Sequence, residues 1–171
     1  MEPAGSTYLY ALAAVSITFV GFSALLVIFR QARGDALTKY ESYFVLSFIL
    51  PGFIVTGGAL LPSVFALYGL PVPTVWRLSS AVGAIPILFF VATLPGRRQA
   101  ATSAPMPRYV RVLSALQLLI ALYLIANAIG EPAPAGIGPY AAAMTALLFT
   151  TAIAYVVALS AAFRETPGTS G

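Results

Sequence analysis

The 171-residue chain has no cysteine and no histidine. The first absence removes disulfides and thiolate chemistry, the second removes imidazole as a base, and together they remove the usual zinc and haem ligands. A metal site would have to be built from oxygen ligands, with only five Asp and Glu in the whole chain. No metal, cofactor or catalytic residue is therefore expected. Charge of either sign is scarce: 8% of residues are charged, where a soluble domain carries about 25%. Lysine is nearly absent, Lys39 standing beside eight arginines. With so much alanine, that usage points to a GC-rich bacterial genome.

What is present is apolar. Sixty per cent of residues are hydrophobic and the mean hydropathy is +0.92, the composition of an integral membrane protein. Five uncharged or nearly uncharged runs have spanning length, at 8–29, 43–70, 76–94, 109–129 and 140–163. The expected fold is all-α, one transmembrane domain over 1–171, a five-helix bundle with Pro-kinked second and third spans and 165–171 as a mobile tail. The start, MEPAGST, lacks the basic region of a signal peptide, so no cleavage is expected.

The second run, Tyr43 to Leu70, organises the rest. Its 28 residues would reach about 42 Å as a helix, more than the ~30 Å hydrocarbon core. Pro51 and Pro62 free the carbonyls of Ser47 and Gly58, which in lipid need a neighbouring helix, a hydroxyl or a water. This span is expected inside the bundle, with the others around it. In the third run Pro86 frees the Val82 carbonyl, and Ser79 with Gly83 forms a small-xxx-small pair for helix packing. A four-span arrangement with one proline-broken segment re-entrant is the alternative. Pro71-Val72-Pro73 reads as a short extended connection, and 95–108 as a basic loop lying against anionic headgroups.

Basic residues fall unevenly on alternate sides. Arg30, Arg33, Lys39, Arg97, Arg98, Arg108, Arg111 and Arg164 share one, and Arg77 stands on the other. By the positive-inside rule the heavy side is cytoplasmic, which puts the N-terminus outside and the C-terminus inside a bacterial cytoplasmic membrane. The +4 net charge then needs no nucleic-acid partner. Tyr8, Tyr10, Tyr68, Trp76 and Tyr140 are assigned to the outer interface, and Tyr40, Tyr43 and Tyr109 to the inner.

Every carboxylate lies in an expected loop or tail, which argues against proton coupling, and no base is at hand for a nucleophilic serine. Two groups of candidates remain. Arg77 with Trp76, Ser79 and Ser80, at the start of the third span, has the makings of an anion or lipid-headgroup site; Arg77 as an interfacial anchor, paired with Glu131, is the plainer reading. Gln117 and Asn127 in the fourth span, with Ser47 and Thr56 in the second, are candidate intramembrane polar contacts, either between helices or lining a pore; the deep Tyr123 and Tyr155 divide the same way. Gln117 shares a face with Ser114, whereas Asn127 is turned away from it, so the two need not form one site.

Phe19-Val20-Gly21-Phe22-Ser23-Ala24, Arg30, Leu61-Pro62 and Val75-Trp76-Arg77 resemble a loosely defined group of small, uncharacterised bacterial multi-span inner-membrane proteins. That resemblance covers the first three spans and implies no activity or site residue. The expected function is a structural, accessory or oligomeric-assembly role without catalysis, with anionic lipid at the cytoplasmic face and self-association or a larger membrane complex as partners. A channel or carrier for a small neutral or lipid-like solute is the alternative.

Overall fold

The computed structural model describes residues 5–32, 39–130 and 136–164. Five helices fill them, with no strand among the described residues: α1 Ser6–Ala32, α2 Lys39–Leu67, α3 Val72–Ala101, α4 Arg108–Ile129 and α5 Ile137–Arg164. Each contains a segment long and apolar enough to cross a membrane, which suggests a multi-pass membrane protein. The outward faces agree: Phe89, Phe149, Leu119 and Phe29 are each at least 60% exposed, a surface that suits lipid and not water. The 165–171 tail, Glu131 and Arg33 lie outside the described residues.

Helices α2, α3, α4 and α5 close a ring, each packing on the next, and α1 lies outside it against α2 with a lighter contact to α5. The second span is thus flanked on three sides, by α1, α3 and α5, and lies across the ring from α4. Small residues set how closely these helices approach. A Cβ on Gly52 would overlap Val20 of α1, and one on Gly58 would stand 2.7 Å from Met144 Sδ of α5. The α1–α2 seam is further tied by Ser16, whose hydroxyl donates to the Gly52 carbonyl at 2.8 Å.

Two boundaries differ from those read in the sequence. Helix α2 starts at Lys39 and ends at Leu67, and Gly69, at φ +69°, takes the left-handed geometry of the turn that follows. Helix α3 is longer at both ends. It begins at Val72 with proline at its first turn, where the missing N–H leaves no bond unmade. It then continues through Pro95 to Ala101, where a loop was expected. Beyond Pro95, Arg97 reaches back two turns, donating from Nη2 to the Phe90 carbonyl at 2.9 Å with its guanidinium 4.5 Å from the Phe90 ring centroid. Those contacts fasten the turn after Pro95 back onto the preceding one, although the carbonyl that Pro95 itself leaves unbonded is that of Val91. Both α2 and α3 run as unbroken helices through their internal prolines.

The interior is divided. One apolar cluster joins Leu9 and Leu12 of α1, Val55 and Ala59 of α2, Ala84 and Ile87 of α3, Ala121 and Leu124 of α4, and Met144 and Leu147 of α5. A smaller one gathers Tyr43, Phe90 and Leu94 near the basic end. The antiparallel ring brings the start of α2, the end of α3 and the start of α4 together, so that Lys39, Arg97, Arg98, Arg108 and Arg111 share one end of the bundle while Arg77 sits at the other.

Candidate functional site

At the Arg77 end, helical spacing decides what faces where. Trp76, Ser79, Ser80 and Gly83 occupy the inward stripe of α3 and are buried, whereas Arg77 is on the exposed side. The four residues grouped in the sequence as a headgroup site are therefore split between core and surface. Trp76 is 3% exposed and packs 5.9 Å, centroid to centroid, from Tyr140. Neither ring faces the outer interface to which the sequence assigned it. The Arg77 guanidinium instead lies over Gly130, where a Cβ would come within 3.1 Å of Nη2. Gly130 closes α4 in left-handed geometry at φ +87°, so Arg77 places its charge at the negative end of the α4 dipole. That position suits an anchor.

Polar side chains inside the ring form two separate groups. In the half nearer Arg77, the Asn127 side-chain amide donates to Ser80 Oγ at 2.7 Å, and the Gly136 N–H donates to Asn127 Oδ1 at 3.3 Å. One asparagine thereby ties α4 to α3 and to the residue that leads into α5. The Tyr140 hydroxyl donates to the Gly58 carbonyl at 2.6 Å. This is the carbonyl that Pro62 leaves without an amide partner, and the neighbouring helix supplies the missing donor. Ser79 Oγ is buried without a hydrogen-bond partner among the described residues. Asn127→Leu is expected to cost about 0.6–1 kcal/mol in denaturant or thermal unfolding, and most of that cost should vanish in a Ser80→Ala background. An equal cost in both backgrounds would show that the bond contributes nothing.

The second group surrounds a cavity of about 60 Å³ near the basic end, lined among others by Tyr43 and Ser47 of α2, Arg98 of α3, Ser114 and Gln117 of α4 and Ala154 of α5. Ser47 and Ser114 donate to their own helices, at 2.8 Å to the carbonyls of Tyr43 and Val110, which leaves their oxygens as acceptors on the cavity wall. Gln117 is buried here, ten residues along α4 from Asn127, so the two amides belong to different places. Thr56 is not part of either group: it donates back to the Gly52 carbonyl at 3.0 Å. Tyr123 is exposed, and the Tyr155 ring meets Phe19 and Phe48 edge-on at 5.1 and 5.4 Å.

Arg98 is the residue that sequence reasoning placed differently. Counted among loop arginines facing headgroups, it is 6% exposed, because α3 continues past Pro95 and turns this position inward. The signal available in sequence was the spacing Phe90, Leu94, Arg98, which repeats every four residues and so continues one buried stripe. Comparison with known proteins yields no match to this chain, whether among family models, curated proteins or solved structures.

Proposed function

We propose that this is a small integral membrane protein of the bacterial cytoplasmic membrane, its N-terminus outside and its C-terminus cytoplasmic, with a structural, accessory or oligomeric-assembly role and no catalytic centre. The orientation rests on the basic end described above. The observation that carries the role is on α1, the helix outside the ring. Ala11, Ala14, Thr18 and Gly21 lie along one outward stripe, all exposed, and a Cβ on Gly21 would meet nothing within 4 Å. Such a strip lets a second helix backbone approach closely, which is how association proceeds where lipid gives no hydrophobic drive.

A carrier would need a polar path along the ring. Between the Asn127 and Arg98 levels stand Val55, Ala84, Ile87, Ala121, Leu124, Met144 and Leu147, none more than 1% exposed, and this apolar plug favours the assembly reading. Because the chain has no cysteine, Ala14→Cys introduces a single thiol. Oxidative cross-linking in native membranes is expected to capture a second copy or one defined partner, and Gly21→Leu is expected to abolish capture. A monodisperse monomer with no cross-link and no co-purifying protein would refute the proposal.

A further inference from the structure

We propose that the cavity beside Arg98 is a binding site for an oxoanion, the carboxylate or phosphate group of an acidic lipid or of a free small anion. The argument starts from charge. Arg98 is 94% removed from solvent, since only 6% of it is exposed, and a guanidinium stays protonated at any physiological pH. Its Nη2 donates to the Pro105 carbonyl at 3.0 Å, and its Nε is buried without a hydrogen-bond partner among the described residues. The residues at this end of the bundle include Arg97, Lys39, Arg108 and Arg111, of like sign, and Glu41 in the first turn of α2. A buried guanidinium with an unpartnered N–H is unfavourable until an acceptor joins it.

Space for that anion adjoins Arg98. At ~15 Å³ for each water-sized site, the cavity of about 60 Å³ holds about four, which suits one phosphate or carboxylate group and excludes a sugar or nucleotide. Donors and walls match. The planar fork of Arg98 presents its N–H groups to two oxygens at once, and the Gln117 amide adds a neutral donor. Phe48, Phe90, Leu94 and Leu113 line the remainder, a surface suited to the first carbons of an acyl ester. Arg98 also lines a second cavity of about 430 Å³ with Gln99 and the 102–106 turn. This site is independent of the α1 stripe and of the assembly role proposed from it.

The full-length protein tests this in two arms. In the lipid arm it is reconstituted in nanodiscs of phosphatidylcholine containing phosphatidylglycerol, and retained lipid is read by native mass spectrometry. In the free-anion arm, inorganic phosphate is titrated in detergent with Trp76 fluorescence reporting the unfolding temperature. Binding is expected in at least one arm, and which arm responds identifies the source of the anion. Arg98→Gln is expected to weaken it at least tenfold, and Arg97→Gln by less than about twofold because Arg97 does not line this cavity. Ser114→Leu, which fills the cavity and keeps Arg98, is expected to match Arg98→Gln and carries the test if the arginine variant does not fold. No binding in either arm, or binding that survives Ser114→Leu, would overturn the site.

Discussion

Gly58→Val is expected to destabilise the bundle by about 3 kcal/mol, at the upper end of overpacking costs, whereas Gly57→Val, one residue earlier, should change stability by less than about 0.5 kcal/mol. The two glycines share a helix and differ only in facing. A side chain at 57 enters open space, while one at 58 begins 2.7 Å from Met144 Sδ and 3.7 Å from the Tyr140 hydroxyl. The α2–α5 seam would have to open, and with it the Tyr140 bond. Unfolding in detergent, followed by Trp76 fluorescence against denaturant, measures both. Met144→Ala in the Gly58→Val background should recover part of the loss, since it removes the atoms that the new side chain meets. Equal effects at 57 and 58 would mean that the cost is helix propensity and not the approach of α5.

Removing the Tyr140 hydroxyl has the second largest expected effect, about 1–3 kcal/mol for Tyr140→Phe, because it leaves a buried carbonyl unpaired. The origin of that carbonyl allows a sharper test. Pro62 lacks the N–H that would bond to Gly58, and the hydroxyl of α5 takes its place at 2.6 Å. Pro62→Ala returns the N–H to α2. In that background Tyr140→Phe should cost about 1 kcal/mol less than in the native chain, a coupling measurable as a double-mutant cycle. Independent, additive effects would show that tyrosine and proline are not linked through this carbonyl. The same cycle removes the loss of proline packing, which is common to both backgrounds.

This carbonyl also marks how far the sequence reaches. That Gly58 would need a donor followed from one proline and the absence of water in lipid; that the donor is Tyr140, 82 residues away, did not. Tyr140 reads as an interfacial residue beside Pro139, and burial to 0% exposure comes from the rotation of α5 against α2. Trp76 repeats the case. Its place at the start of a span is legible, and its inward facing depends on the α3–α4 and α3–α2 seams. Arg98 is the largest departure, since a proline-glycine pair just before two arginines reads as the end of a helix, yet α3 continues to Ala101, with Arg97 bonded back to Phe90.

The sequence by itself determined five apolar helices of spanning length, the gathering of basic residues at one end and the exclusion of carboxylates from the apolar segments. Those are properties of local composition, which a low-dielectric solvent reads without reference to any neighbour. Only the tertiary structure decided that four helices close a ring with α1 outside, that Asn127 and Gln117 serve different levels, and that a permanently charged arginine is folded inward beside a cavity. A helix of uniform hydrophobicity has no face that lipid prefers, so its rotation is set by where small residues let another backbone come close.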